Sequence, residues 1–166
     1  MVKKDTQIAY YKSPIGWIKI GSDGREIVAV DFASKNRVSA GKGPVLQKAL
    51  RQIDEYFKGK RKRFDLKLRF KGTPFQEKVW SELQKINLGS TASYQNIATR
   101  TGKSKAVRAA GTAIGRNPLA IIVPCHRVIA SNGLLAGYAG GVWRKKWLLD
   151  HEKRMAAPAR HTGPSR

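Results

Sequence analysis

The sequence predicts an α+β protein of two lobes. Segments with strand character, separated by short turns, fill the first third of the chain. Helical periodicity dominates after residue 72, and the apolar segment "LAIIVP", which predicts a short strand, interrupts it. We therefore expect a sheet-and-helix domain at residues 1–71 and a helical domain at 72–153. A disordered basic tail is expected at 154–166.

Three strands, a helix and a final strand make up the predicted first lobe. "QIAYYK", "WIKIGS" and "EIVAVDF" are separated by the turns "SPIG" and "DGR", which predicts a small antiparallel sheet. "GPVLQKALRQIDEYFKGK" repeats apolar residues at helical spacing and predicts a helix that stops at Gly59. "RFDLKLRF" alternates Phe64, Leu66, Leu68 and Phe70, which predicts a half-buried strand.

The second lobe begins and ends with predicted helices. In "TPFQEKVWSELQKI", Thr73 is the expected N-cap, Pro74 takes the first helical position and Gln76 completes a capping box. "GVWRKKWLLDHEKR" predicts the last helix. Its predicted buried stripe consists of Val142, Trp143, Trp147 and Leu148.

A pair of shorter helices is predicted between these two, in "SYQNIATRTGKSKAVRAAGTAIG". Ser93 is the expected cap of the first, and Ser104 caps a second that runs to about Gly115. The spacing of Ala98 and Gly102 would let the two helices cross closely, as in a helix-turn-helix. A plain αα-hairpin fits this segment equally well.

The charge favours DNA binding. The chain has 33 Lys and Arg against 11 Asp and Glu, a formal net charge of +22. Such a surface attracts polyanions, nucleic acid before an anionic membrane, although a solvated basic face is the plain alternative. No acidic residue occurs between Ser90 and Asp150, and basic residues surround the start of the second short helix. Its expected exposed residues are small, which indicates weak sequence specificity: Ala106, Ala109, Ala110, Thr112 and Ala113.

The cysteine content bounds the remaining classes of function. One cysteine and three histidines without zinc-ligand spacing predict no metal, and nothing indicates a cofactor. A single cysteine suits a reducing, cytoplasmic compartment. We expect no targeting segment and no membrane association, because no stretch has the required length and hydrophobicity.

Cys125, in "IIVPCHRVIAS", is either a small buried packing residue or a nucleophile. Pro124 is expected to end a strand, which would place Cys125 at a strand terminus. The cationic neighbours His126 and Arg127 are expected to lower the pKa of the thiol. Glu152 is a candidate to orient His126 in a Cys–His–Glu arrangement, and a plain surface residue otherwise.

Five motifs resemble those of the O6-alkylguanine-DNA alkyltransferases (methylated-DNA–protein-cysteine methyltransferases). They are "SYQNIA", "AVRAAGTAIGRNP", "VPCHRVI", "GYAGG" and "WLLDHE", in family order within residues 73–152. The first lobe is similar only in "SPIG" and "YFKGK". The resemblance implies a monomeric repair protein that flips O6-alkylguanine out of double-stranded DNA. It would transfer the alkyl group irreversibly and stoichiometrically to its own cysteine, restoring guanine.

The resemblance also implies roles for single residues. Cys125 would be the acceptor, and His126, through a water and with Glu152 behind it, would deprotonate it. Asn117 would brace the hinge beside the active-site strand, and Tyr94 would crowd the target phosphate and protonate the leaving guanine.

Further residues would contact DNA or the base. Arg108 would fill the gap left by the flipped base. The other DNA-binding residues implied are Tyr94, Ser104, Lys105, Ala109, Thr112 and Arg116. The substrate pocket implied consists of Tyr138, Ala139, Val128 and Arg127, with backbone groups near Cys125, Val128 and Ala139 reading the guanine edge.

Two departures and two alternative functions remain. Ala139 stands where many relatives have Ser, and Gly115-Arg116 stands where many have Arg-Gly. A non-catalytic DNA-binding protein of the same fold is one alternative, although in such proteins the acceptor cysteine is replaced. A turnover Cys–His hydrolase is the other; it would need an oxyanion hole and would leave the charge unexplained.

Overall fold

The computed structural model describes residues 6–34 and 41–158. The first lobe contains β1 (Gln7–Ser13), β2 (Gly16–Ser22), β3 (Ile27–Ala33) and α1 (Pro44–Phe57). The second lobe contains α2 (Pro74–Leu83), β4 (Ala92–Ser93), α3 (Tyr94–Arg100), α4 (Val107–Gly115), a 3-10 turn (Cys125–Arg127), β5 (Val128–Ile129) and α5 (Val142–Ala156). The predicted α+β class is confirmed.

The three-stranded sheet packs against α1. Its strands are antiparallel in the order β1-β2-β3, and Ala9, Ile20 and Val30 form one cross-strand row in register. All three are buried, as are Leu46 and Ile53 on the facing side of α1. This alternation is what a sheet with one covered face requires.

The strand predicted in "RFDLKLRF" is wrong, although its alternating burial is as expected. Only Leu68 pairs with the sheet, through a single parallel bridge to Ile27. Further along, Val30 bridges to Leu119, with its N–H donating to the Pro118 carbonyl at 2.9 Å. Two separate segments thus share the edge of β3, so neither extends into a ladder.

The helix starts follow the local signals in two places and depart in a third. Thr73 and Ser93 cap α2 and α3 in complete capping boxes. Ser104 caps nothing, because a turn closed by Ala106 N–H donating to Lys103 O (2.8 Å) delays α4 until Val107.

Gly102 serves the turn and not a close helix crossing. Its φ is +79°, and the neighbouring N–H of Lys103 donates to Ala98 O at 3.1 Å, as at a helix C-terminus with a left-handed residue. A Cβ at this position would meet nothing nearer than Lys78 Nζ at 4.0 Å. The conformation alone therefore explains the glycine.

Two helices present other faces than predicted. In α4, Ala110 and Ala113 are buried against the core, which leaves Ala109 and Thr112 exposed beside Arg108. In α5, Val142 and Trp143 are 46% and 57% exposed. The buried residues of α5 are Lys145, Leu148, His151 and Glu152. This helix turns polar side chains inward because each of the three has an internal hydrogen-bond partner.

Residues 154–156, assigned to the tail by the sequence, belong to α5. The helix ends there because Ala157 precedes Pro158 and takes an extended conformation. Residues 159–166 of the predicted tail lie outside the described residues. Among the described residues, no helix has the length and hydrophobicity to cross a membrane.

Candidate active site and DNA-binding face

The segment before Cys125 is a turn and not the predicted strand. Ile121 has a φ of +72°, and the Val123 N–H donates to Leu119 O at 2.9 Å, so the chain doubles back. Cys125 then opens a 3-10 turn, and the short strand β5 follows it. A left-handed β-branched residue is a strained conformation that neighbouring contacts must hold.

Asn117 supplies those contacts. Its Nδ2 donates to Val123 O at 2.8 Å, and its Oδ1 accepts from the Leu119 N–H at 2.9 Å. One side chain thus joins both ends of the turn that carries Cys125. The apolar residues 119–123 give no sign of this turn in the sequence. The side chain that holds the turn, Asn117, is polar and precedes these residues.

The thiol of Cys125 is buried, and burial raises its pKa above the ordinary value. A hydrogen bond from Asn117 and the charge of Lys145 act in the opposite direction but do not reverse it. The expectation of a lowered pKa is therefore wrong in its net direction. The thiol needs a base in order to react.

His126 and Glu152 form a completely buried pair. His126 Nε2 lies 2.8 Å from Glu152 Oε1. Burial alone would raise the pKa of the Glu152 carboxyl, but His126 and Arg127 hold it well below its usual range, so it is ionised. Among the described residues, His126 Nδ1 has no hydrogen-bond partner. That nitrogen is the one free to exchange a proton.

Arg127 lies behind the site and not in the substrate pocket, which corrects the prediction. Its Nε donates to Glu152 Oε2 at 2.8 Å, its Nη2 to Oε1 at 2.9 Å and its Nη1 to Ile86 O at 2.6 Å. Val128, whose backbone was expected to read the guanine edge, is buried in β5 and paired with Ala92. Neither residue lines the cavity that contains Cys125.

That cavity has a volume of about 160 Å³. Its lining consists of Cys125 with Asp31, Phe32, Ile114, Gly115, Asn117, Ala120, Gly137, Tyr138, Ala139 and Gly140. Tyr138 and Ala139, two of the residues predicted for the substrate pocket, are part of this lining. Asp31 and Phe32 come from β3, a contribution of the first lobe that the sequence did not indicate.

The cavity is an aromatic slot. The rings of Phe32 and Tyr138 meet edge to face, with centroids 6.1 Å apart. Gly140 passes so close that a Cβ there would lie 2.6 Å from Phe32 Cε2, which explains a glycine at this position. The Tyr138 hydroxyl is buried and has no hydrogen-bond partner among the described residues. A flat heterocycle with polar edges suits such a slot.

Tyr94 and Lys145 meet at one carbonyl at the rim of this region. Tyr94 Oη donates to Ala136 O at 2.9 Å, and Lys145 Nζ donates to the same oxygen at 3.1 Å. Lys145 is fully buried, and this burial lowers its pKa while the nearby Cys125 counters the shift. Sequence reasoning missed Lys145. The only available signal was its position three residues before Leu148, on the inward face of α5.

Five of the predicted DNA-contact residues are exposed and together are called the basic face: Lys105, Arg108, Ala109, Thr112 and Arg116. Ser104 is exposed beside it. Among the described residues, the Arg108 guanidinium has no hydrogen bond or ion pair. The same helix α4 reaches the slot through Ile114 and Gly115, so one helix connects the basic face with the slot. No group of three or more metal-ligating side chains occurs in ranges 6–34 and 41–158.

Two family models match the chain. Residues 7–70 match the 6-O-methylguanine DNA methyltransferase ribonuclease-like domain, and residues 74–154 match the DNA binding domain of the same protein. The methylated-DNA–protein-cysteine methyltransferase of Methanosarcina acetivorans is 44% identical over 150 residues, which cover 87% of this chain and 96% of that one. The one from Haemophilus influenzae is 38% identical, covering 87% and 84%.

Solved structures agree with these matches. Mycobacterium tuberculosis O6-methylguanine methyltransferase superposes with a TM-score of 0.84 at 38% identity, covering 93% of this chain and 96% of that one. Mycobacterium tuberculosis OGT in complex with DNA gives a TM-score of 0.81 at 40% identity, covering 90% and 94%. With similarity over nearly the full length in sequence and in structure, this chain belongs to the 6-O-methylguanine DNA methyltransferase family.

Proposed function

We propose that this protein repairs DNA by moving an alkyl group from O6 of guanine to Sγ of Cys125. One observation carries the proposal: a buried cysteine, beside a buried His–Glu pair, lines an aromatic slot that a basic helix reaches. The relatives named above as methyltransferases, and the relative solved with DNA, support the same reaction and partner.

The chemistry first requires that the Cys125 thiol lose its proton. Because burial raises the pKa of the Cys125 thiol, the nucleophilic thiolate must be generated on demand. His126 accepts the thiol proton at its free nitrogen, and the ionised Glu152 stabilises the imidazolium that results. The charge of Lys145 favours the thiolate.

The alkyl transfer then balances without a further reactant. Sγ attacks the alkyl carbon, the S–C bond forms as the C–O6 bond breaks, and the bonding electron pair leaves on guanine. Tyr94 is at the rim of the site and donates a proton to the leaving base, and the thiol proton taken up by His126 then replaces the one that Tyr94 has given up. The thioether that remains on Cys125 has no leaving group that water displaces under mild conditions. The protein is therefore consumed, one equivalent for each lesion.

Access to the base requires extrusion from the duplex. The partner is double-stranded DNA that contains O6-alkylguanine, attracted by the net charge of +22. Arg108 is exposed and free to enter the stack, while Ala109 and Thr112 are small enough to let α4 approach the minor groove. Monomeric action, a cytoplasmic location and the division of domains at residues 71 and 72 stay predictions.

Intact-mass measurement tests the reaction. Incubation with a duplex carrying O6-methylguanine is expected to add one methyl group, and digestion is expected to locate it on Cys125. The reaction ends at one equivalent of lesion. Continued turnover would indicate a hydrolase, and tight binding without transfer would indicate a non-catalytic DNA-binding protein.

Arg108→Ala tests extrusion separately. It is expected to slow repair of the duplex about tenfold or more, while the reaction with free O6-benzylguanine, which needs no flipping, stays near the wild-type rate. Equal losses on the two substrates would remove Arg108 from the flipping step.

A further inference from the structure

Glu152 makes an additional contact that links the two parts of the molecule. Tyr56 Oη, at the end of α1 in the first lobe, donates to Glu152 Oε1 at 2.8 Å across 96 residues of sequence. Both side chains are buried, with exposed fractions of 1% for Tyr56 and 0% for Glu152. The carboxylate that supports His126 is thus bonded directly to the sheet-and-helix lobe.

The carboxylate is shared among several donors. Oε1 is in contact with His126 Nε2, Arg127 Nη2 and Tyr56 Oη, while Oε2 accepts from Arg127 Nε. Arg127 comes from the same segment as His126 and moves with it. Tyr56 is the one donor in this set from outside that segment, so it fixes the carboxylate relative to the rest of the protein.

Tyr56 is itself rigidly held. Its ring meets those of Phe57 and His151 edge to face, with centroids 5.2 and 5.3 Å apart. Its backbone oxygen is 2.8 Å from His151 Nε2, one residue before Glu152 on α5. The hydroxyl therefore approaches Glu152 from a fixed direction. Burial raises its pKa well above the ordinary value, so it remains a neutral donor.

We infer that Tyr56 is a positioning residue: its hydroxyl holds the Glu152 carboxylate in the orientation in which Oε1 bonds His126 Nε2, and so keeps His126 aligned to accept the thiol proton. This inference rests on the proposed function and gives the first lobe a part in the chemistry. Without the hydroxyl, the carboxylate loses one of the donors that hold it in place, and it supports the imidazolium formed on proton transfer less well. The Cys125 thiolate then forms less readily, and transfer depends more on direct ionisation of the thiol at higher pH.

Tyr56→Phe tests this role, because it removes the hydroxyl and keeps the ring. The single-turnover rate constant for methyl transfer is measured from pH 5.5 to 9.5. We expect a loss of about tenfold at pH 7 and a smaller loss at pH 9, with the rise in rate displaced to higher pH. The other ionisable groups near Tyr56 and Glu152, namely His126, Arg127, Tyr138 and His151, are unchanged in the variant. A uniform loss at every pH, or none, would overturn the inference.

Tyr11→Phe is the matched control. Tyr11 lies in the same lobe, and its hydroxyl donates to Asp54 at 3.0 Å, away from the site. This variant is expected to keep the wild-type rate and pH profile. A displaced profile here would mean that any loosening of the first lobe has this effect, which would overturn a specific role for Tyr56.

A double-mutant cycle with Glu152→Gln provides a readout that a purely structural role does not produce. If Tyr56 acts through Glu152, Tyr56→Phe adds little further loss in the Glu152→Gln background. Independent, multiplying losses would contradict the inference.

Alkylation of the protein by iodoacetamide separates this inference from the proposed function. Cys125 is the only cysteine, so the reagent reports on its thiolate without any DNA. Tyr56→Phe is expected to move the pH dependence of this reaction upward. If wild type transfers no methyl group, the proposed function fails, and this measurement still decides the role of Tyr56.

Discussion

The front and the back of the segment 124–127 differ in how fully their polar groups are bonded. On the front, facing the slot, the thiol of Cys125 has a raised pKa and the Tyr138 hydroxyl is buried without a partner among the described residues. On the back, the Glu152 carboxylate is bonded by His126, Arg127 and Tyr56. Unsatisfied groups are costly to bury, so they indicate where a substrate binds, whereas the fully bonded carboxylate indicates where position is maintained.

The largest effect on alkyl transfer is expected from a substitution at Cys125, on the side that faces the slot. Cys125→Ser removes the only thiol and should abolish transfer, because a serine hydroxyl at neutral pH is a far weaker nucleophile. Folding and DNA binding should persist, since the two side chains have similar shape. Intact mass and a DNA-binding titration measure these outcomes. Appreciable transfer by the variant would remove Cys125 as the acceptor.

Substitution of Glu152, on the back of the segment, is expected to affect both the stability of the protein and the rate of transfer. Glu152→Gln leaves the buried Arg127 without its counter-charge, which should lower the free energy of unfolding by about 3 kcal/mol and slow transfer by about 100-fold. Chemical denaturation and single-turnover kinetics measure the two effects. Asp150→Asn is the control: it removes a surface ion pair with Lys146 on the same helix and should change stability by less than about 1 kcal/mol.

The stability effect of Glu152 has a defined pH dependence. The pKa of its carboxyl is well below the usual range in the folded protein, and near 4.3 on average when unfolded. Its contribution is therefore complete above about pH 5 and declines as the pH falls through the acid range. The difference between wild type and Glu152→Gln should shrink in the same range. A difference that grows toward acid would contradict the ionised state of Glu152.

Lys145 tests the side that faces the slot, since its charge acts to lower the pKa of the Cys125 thiol. Lys145→Met keeps the length of the side chain, removes the charge and frees the Ala136 carbonyl that Tyr94 also bonds. We expect transfer to slow about tenfold and iodoacetamide alkylation of Cys125 to require higher pH. Lys146→Met, its exposed neighbour, is the matched control and should behave as wild type. Equal effects of the two substitutions would mean that Lys145 acts only through the net charge of the protein.

The sequence predicted best what local chemistry determines. Thr73 and Ser93 cap their helices because the capping partner lies three residues away in each case. The hairpins of the sheet follow from alternation and short turns in the same way. On the site, the pairing of His126 with Glu152 was available as a candidate because acids are scarce in the second lobe.

What the sequence missed depends on distant partners. Ile121 is in a left-handed turn and not in a strand because Asn117 holds both ends of that turn. The α5 stripe was wrong at Val142 and Trp143, although Leu148 is buried as predicted. Lys145 finds an internal carbonyl, so a charged residue is inside and Trp143 is outside. Tyr56 gives no signal within the sequence of α1, since its partner lies 96 residues further along.

The smallest predicted effect compares two tyrosine hydroxyls directly. Tyr138→Phe deletes a buried hydroxyl without a partner among the described residues, so the free energy of unfolding should rise by about 0.5–1 kcal/mol. Tyr11→Phe deletes a hydroxyl bonded to Asp54 and should lower it by about 1 kcal/mol. If the Tyr138 hydroxyl is kept for the base, transfer by Tyr138→Phe should slow about threefold despite the gain in stability. Denaturation and single-turnover kinetics on the same preparations test both signs, and a loss of stability in Tyr138→Phe would mean that its hydroxyl is bonded in the free protein.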